Sequence, residues 1–325
     1  MLPFPSYAVP LLVLALALFI DFLFGDPPDK VHPTVWMGKF IVFLKPKLKS
    51  RNPKLEKIKG ALLCLSTIIV FALPAYLLLF LIQQHLGLVA YIIVAAIILK
   101  PTFAVKYMEH YTLPIAKAVE KGKTSEAKLL LPYIVRRNPE RLSEKQVISA
   151  AVESIAEGTV DGITSAIFYF ALFGVPGAIA FRAINTLDSM VGYKDFEHVN
   201  IGWFSAKMDT IANYIPARLT AFLMIIATWM LQKNWKKAWK MLSSDKGKTE
   251  SLNAGWPMAT MAGALNIRLE KPNFYILGDE SSNDPMPNHI HQALQIMKLT
   301  TILFGTLIVL TLPILATMLI RMTQH

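Results

Sequence analysis

Glu153, Glu157 and Asp161 stand at i, i+4 and i+8. If a helix runs through them they share one face, drifting by about 40° per step. Three like charges on one face repel one another and call for a counter-charge. Mg²⁺, which takes carboxylate and phosphate oxygens, is one natural partner, and a substrate ammonium is another. A solvated helix face is the plain alternative, but the two glycines of Gly158-Thr159-Val160-Asp161-Gly162 favour a site where backbone approaches closely at a helix end. Asn185, Asp188 and Ser189 follow at i, i+3 and i+4, directly behind an apolar run. Lipid-facing ionisable groups cost about 2.5 to 3.5 kcal/mol each, so these are expected to line a site. Asp209 and Asn213 repeat the pattern, with Lys207 nearby and Arg218 available for a phosphate. An interfacial helix that snorkels its charges is the alternative there. His32 lies in a stiff His-Pro loop, where a lone imidazole is usually only solvated. Asn253-Ala254-Gly255 opens a small-residue helix start that could offer backbone N–H groups to a phosphate or carboxamide.

The elements that must position these residues are those of a membrane protein. Of 325 residues 54% are hydrophobic and 17% charged, with mean hydropathy +0.44, against about 25% charged in a soluble domain. A soluble secreted domain, a disordered chain and a disulfide scaffold are excluded. The fold class expected is all-α, a polytopic helical membrane protein forming one integral membrane domain over residues 1–325. Charge-free runs predict spans near residues 6–24, 60–82, 87–106 and 299–320, since about 20 apolar residues suffice. The first run lacks a basic n-region and a cleavage site and is expected to stay as a span. Gln83-Gln84-His85-Leu86-Gly87 is the turn of a hairpin, and Pro74 would kink its first arm.

Residues 107–157 read as a cytoplasmic helical segment. Phe103, Tyr107, Tyr111, Ile115 and Val119 recur every four residues, a shorter helix is expected from Glu126 to Arg136, and Ser143 with Gln146 suggests a capping box. Segments 162–190 and 216–232 either both span or neither does. The break at Phe173-Gly174-Val175-Pro176-Gly177 would leave halves of roughly 18 Å, so a re-entrant helical hairpin fits better. Lys and Arg outnumber Asp and Glu 33 to 22, for a net charge of +11. Nine of them fall between Lys30 and Lys59, ten between Lys100 and Lys145 and six between Lys233 and Lys248. These stretches read as loops facing an anionic cytoplasmic leaflet, with the bilayer and not nucleic acid as partner. Cys64, the single cysteine, excludes zinc clusters and disulfides.

Six ordered blocks then resemble the adenosylcobinamide-phosphate synthase family, the membrane amide ligases of cobalamin biosynthesis. They are Asp21-x-x-x-Gly25-Asp26-Pro27; His32-Pro33; Glu153-Ser-x-Ala-Glu157-x-Thr-Val-Asp161-Gly162; Asn185-Thr-Leu-Asp188-Ser-Met-Val-Gly-Tyr193; Asn213-Tyr-Ile-Pro-Ala-Arg218; and Asn253-Ala-Gly255. The resemblance implies an ATP-dependent ligase that joins a carboxylate of adenosylcobyric acid to the amine of an aminoalcohol phosphate, by way of an acyl phosphate. It implies ATP and Mg²⁺, the corrinoid and amine phosphate as partners alongside neighbouring enzymes of the pathway, and a multi-pass protein whose active site faces the cytoplasm. Glu153, Glu157, Asp161 and Asp188 become the catalytic candidates, with Glu157 and Asp161 as metal ligands. Substrate binding falls to His32, Arg182, Asn185, Tyr193, Lys207, Asp209, Asn213, Arg218 and Asn253. Thr210 stands where the family often has a second Asp after Asp209, so a carboxylate pair is not required there. The rival of another class is a transporter or sensor whose intramembrane acids bind a cation. An intramembrane prenyltransferase would share Asn185-x-x-Asp188, but its second acidic cluster is missing.

Overall fold

The computed structural model describes residues 8–135 and 137–322, with side chains described to residue 311. The first two residues of the expected 6–24 span, Arg136 and the side chain of Pro313 therefore lie outside the described residues. The chain forms α1 (Ala8–Phe24), α2 (Pro33–Leu48), α3 (Pro53–His85), α4 (Gly87–Leu99), α5 (Val105–Glu120), α6 (Thr124–Leu130) and α7 (Glu144–Thr159). Next come α8 (Ser165–Val191), α9 (Trp203–Ala212), α10 (Tyr214–Met230), α11 (Trp235–Asp245) and α12 (Gly255–Leu265). A small hairpin of β1 (Leu269–Lys271) and β2 (Tyr275–Leu277) precedes α13 (Pro287–Met322). Among the described residues, five helical stretches are long and apolar enough to cross a membrane: Pro53–His85, Gly87–Glu120, Glu144–Val191, Trp203–Met230 and Pro287–Thr311. The protein is an all-α polytopic membrane protein.

Two compact units divide the chain. The first comprises Met1–Ala104, Ser165–Ala212 and Gly305–His325. Its core gathers Ile41 of α2, Leu63 and Cys64 of α3, Ile184, Leu187 and Val191 of α8, and Ile201. Asn52 caps α3 by accepting the N–H groups of Lys54 and Leu55, and Pro53 starts the helix where no donor is needed. The 33 residues of α3 pass through Pro74 as one helix. Gly87, at φ +80°, turns the chain into α4. The α-helix of that apolar run ends at Leu99, where Pro101 tightens it into a 3₁₀ turn over Lys100–Thr102.

Within α8, Gly174 takes φ +67° and ψ −163°, a conformation open in practice only to glycine, and the helix breaks there. Tyr169 and Phe181 stack at 5.4 Å between ring centroids. In a straight helix twelve residues would separate them by about 18 Å, so the arms fold back on one another. Gly177 permits this closeness: a Cβ there would sit 2.5 Å from the Tyr169 carbonyl oxygen.

The second unit comprises Val105–Thr164 and Asn213–Phe304. Its centre is α12, every residue of which is buried except Trp256, packed against α7, α10 and α11. Small residues make this possible. Gly263 lies against the backbone of α11, where a Cβ would come within 2.6 Å of Ala238 Cα. Ser143 and Gln146 form the expected capping box, each side chain accepting the other's backbone N–H at the start of α7. The expected helix from Glu126 to Arg136 is shorter than its pattern: α6 ends at Leu130 and Leu131–Tyr133 is 3₁₀, because Pro132 has no N–H to continue the ladder.

Candidate functional site

In the first unit the polar candidates converge around α8. Arg182 donates through Nε to the Thr102 carbonyl at 2.8 Å and through Nη1 to Asn185 Oδ1 at 3.0 Å. Asn185 in turn donates from Nδ2 to Asp209 Oδ1 of α9 at 3.3 Å. Arg182 and Asn185 of α8 and Asp209 of α9, all candidates from the sequence, therefore form one chain of hydrogen bonds. Lys100, almost fully buried, lies 3.2 Å from the buried Asp21 and also bonds Asp26. These two cations and Asp26 line a cavity of about 860 Å³ whose remaining wall is mainly apolar, including Ile20, Phe24, Trp36, Phe71 and Ile179. That volume is within the usual range of small-molecule pockets, about 300 to 1,000 Å³.

His32 caps α2, its Nδ1 accepting the Thr34 N–H at 3.1 Å. Burial holds its pKa below the ordinary imidazole value, with Asp26 pulling upward and Lys100 and Arg182 pushing down. Since Nδ1 needs its lone pair for the cap, both effects keep the ring neutral near pH 7. Asp188 is half-buried near the end of α8. Tyr193 turns back to donate to the Ser189 carbonyl at 2.9 Å and packs against His198. Lys207 is exposed on α9.

In the second unit the acidic stripe is not uniform. The α-helix ends at Thr159 and a π turn spans Val160–Thr164, so Asp161 does not continue the i+4 series on an unbroken helix. Glu153 is buried and its two oxygens are engaged. The Ser149 hydroxyl donates to Oε1 at 2.6 Å. Arg137 Nη2 and the Tyr275 hydroxyl donate to Oε2 at 2.6 and 2.8 Å. Burial and the nearby Glu153 and Glu157 charges push the Tyr275 pKa far upward, so its hydroxyl stays a donor. Glu153 therefore differs from the other two acids: it is buried and accepts three hydrogen bonds, from Ser149, Arg137 and Tyr275. Glu157 is exposed one turn later, and Asp161 is half-buried in the π turn.

Among the described residues, no group of three His, Cys, Asp or Glu could hold a metal ion by itself. Mg²⁺ usually takes one or two carboxylates and completes its shell with water and phosphate. The exposed Glu157 and half-buried Asp161 fit that pattern. Arg218 donates to Asn253 Oδ1 at 2.8 Å, lies over Tyr214 at 3.5 Å and sits beside Trp256 at 4.7 Å. Asn213 is buried at the start of α10.

Sequence reasoning assigned no role to Lys100, Asp21, Arg137 or Tyr275. Asp21 did carry a signal, as an acid inside an apolar run. Lys100 was counted only among the basic loop residues. Arg137 and Tyr275 are brought to Glu153 by tertiary folding, which spacing along the chain cannot show.

The CobD/Cbib protein family profile matches residues 14–297. The chain is 38% identical over 293 residues to the probable cobalamin biosynthesis protein CobD of Methanothermobacter thermautotrophicus, covering 90% of this chain and 94% of that one. It is 40% identical over 270 residues to the cobalamin biosynthesis protein CobD of Dehalococcoides mccartyi, with 83% and 87% covered. A probable CobD of Thermoplasma volcanium is 38% identical over 308 residues, with 95% and 98% covered. No solved structure matches the chain. With its motif blocks in order and relatives aligned along nearly their whole length, the chain belongs to the CobD/Cbib family, that of the adenosylcobinamide-phosphate synthases.

Proposed function

We propose that the protein is the ATP-dependent amide ligase that joins adenosylcobyric acid to an aminoalcohol phosphate, aminopropanol phosphate or ethanolamine phosphate, to give adenosylcobinamide phosphate. Family membership supports an enzyme of cobalamin biosynthesis. The observation that carries the finer reading is the clustering of the motif residues into polar sites on helices otherwise built to lie in a membrane.

In this reading the corrinoid carboxylate attacks the γ-phosphorus of ATP and ADP leaves. The substrate amine then attacks the acyl carbon and phosphate departs. Glu157 and Asp161 hold Mg²⁺, which when bound neutralises the ATP phosphates. Asp188, or whichever of those two acids is not coordinating, accepts the proton lost by the attacking ammonium. Lys207 and Arg218 balance phosphate charge. His32, Arg182, Asn185, Tyr193 and Asp209 in the first unit, and Asn213 and Asn253 in the second, position substrate groups, and these residues face the cytoplasm.

The test is mass spectrometry of products from the purified protein in detergent, with ATP, Mg²⁺, corrinoid acid and competing amine phosphates. ADP and an amide product should form only when all substrates are present. If neither forms, a cation-binding transporter or sensor becomes the better account. Glu157→Ala and Asp161→Ala should each lose turnover while migrating as folded protein in gel filtration, and full activity in both would remove the acidic residues from the site.

A further inference from the structure

Arg137 has no part in the steps above, yet it is the residue that Glu153 holds. Among the described residues its guanidinium has two partners, Glu153 Oε2 at 2.6 Å and, more weakly, the Glu270 carbonyl at 3.4 Å. A guanidinium carries five N–H donors in a planar fork, so this pairing leaves most of that fork unspent. The side chain is 16% exposed, whereas that of Glu153 is 3% exposed. The carboxylate is thus the buried anchor, and the guanidinium is the member that reaches the surface.

The anchor is built from three stretches of the second unit. Ser149 of α7 bonds Glu153 Oε1 and also accepts the Glu270 N–H of β1 at 2.7 Å. Tyr275 of β2 bonds Oε2, and Gln146 donates to Glu270 Oε1 at 3.1 Å. Tyr275 lies in the combined field of Glu153, Arg137 and Glu157, and Glu157 is one turn beyond Glu153 on α7. The exposed acid that the ligase reading assigns to Mg²⁺ and ATP thus stands about 6 Å further along α7 than the carboxylate that holds the fork of Arg137. A planar guanidinium matches phosphate oxygens in a way an ammonium does not.

We propose that Arg137 binds a phosphate group of one of the phosphorylated substrates, and that Glu153 is the positioning residue that aims it and not a base or metal ligand. The inference deepens the ligase reading and rests on it for the identity of the substrates. The chemistry is that of a phosphate, carried either by the nucleotide or by the amine phosphate.

The test uses the full chain in detergent with Arg137→Gln, Arg137→Lys, Glu153→Gln and Tyr275→Phe, measuring kcat and the KM of ATP and of the amine phosphate separately. Arg137→Gln should raise one of these KM values about tenfold or more, the size expected for a lost charge-assisted hydrogen bond, with a much smaller change in kcat. Glu153→Gln should move the same KM, Tyr275→Phe should do so more weakly, and Arg137→Lys should recover part of the loss. The KM that moves identifies which substrate carries the phosphate. A large fall in kcat at unchanged KM in Glu153→Gln, with Arg137→Gln unaffected, would make Glu153 a catalytic group and overturn the proposal. If Arg137→Gln does not fold, Arg137→Lys decides, since wild-type KM values in it would equally refute an aimed fork. Thermal stabilisation by ADP and by inorganic phosphate separates this inference from the ligase reading. Stabilisation of the wild type that is weakened in Arg137→Lys supports the phosphate site even if no amide product is ever formed, and equal stabilisation of both proteins counts against it.

Discussion

Two charge arrangements of the first unit, a buried pair and a single imidazole, have measurable consequences. Lys100 and Asp21 are both almost wholly buried and lie 3.2 Å apart. Removing one partner of a buried pair leaves an uncompensated charge, typically worth about 3 to 5 kcal/mol. Lys100→Met should therefore lower the thermal midpoint in detergent markedly, and the double substitution Asp21→Asn with Lys100→Met should restore most of it. Equal midpoints for the single and double variants would show that the pair is not coupled. His32 makes a pH-dependent contribution of definite sign. Its folded pKa is held below about 6.5, the ordinary value that applies in the unfolded chain. Above that pH both states are neutral and the group contributes nothing. Below it the unfolded chain takes up the proton first, so stability falls with pH until the folded imidazole is protonated as well. Asn is also a good N-cap. His32→Asn should thus keep the α2 cap while flattening the decline in thermal midpoint between pH 7 and 5, and an unchanged slope would contradict this.

At the scale of elements, the bend in α8 is the feature most exposed to a single methyl group. Gly174→Ala would force a side chain into a backbone conformation reserved for glycine. Gly177→Ala would press a Cβ against the Tyr169 carbonyl and the Phe173 side chain. Both should lower thermal stability, and Gly177→Ala should also separate Tyr169 from Phe181, read as a greater distance between labels placed on the two arms. An unchanged distance would mean that the arms do not meet as described. This bend was legible in the sequence because Gly174, Val175, Pro176 and Gly177 are local signals, and so was the capping box at Ser143 and Gln146. Gly158 and Gly162 marked a helix end near Asp161, but nothing in Val160–Thr164 distinguished a π turn from any other interruption. The small hairpin was not legible, since its strands are three residues each and its turn depends on Asn273 at φ +66°. The site was readable in the same graded way. Motif spacing singled out Asn185 and Asp209 as candidates, and the fold joins them by a hydrogen bond. Only the fold could show that Glu153 is spent on Arg137 and Tyr275.

For the whole molecule, the question is which side of the membrane its charges face. The net +11 is concentrated in three basic stretches, and the positive-inside tendency predicts that each is cytoplasmic. Helix α3 offers the cleanest test, because it is continuous over 33 residues and about 50 Å long at 1.5 Å per residue, more than a hydrocarbon core of about 30 Å. Its ends must therefore emerge on opposite sides if it spans. The first end carries Lys54, Lys57 and Lys59, and the second carries Gln83, Gln84 and His85. Cys64 is the single cysteine of the chain and is fully buried, so a Cys64→Ala background should be silent to thiol reagents with little change in packing. Single cysteines introduced at Lys54 and at Gln84 can then be labelled with a membrane-impermeant maleimide in intact cells and again after permeabilisation. The Gln84 position should react in intact cells and the Lys54 position only after permeabilisation. The reverse pattern would invert the orientation and put the basic stretch 30–59 outside, where ATP is scarce. Such a result would weigh against an ATP-dependent ligase more heavily than the loss of any one catalytic side chain, because it would remove the co-substrate from every candidate residue on that face at once.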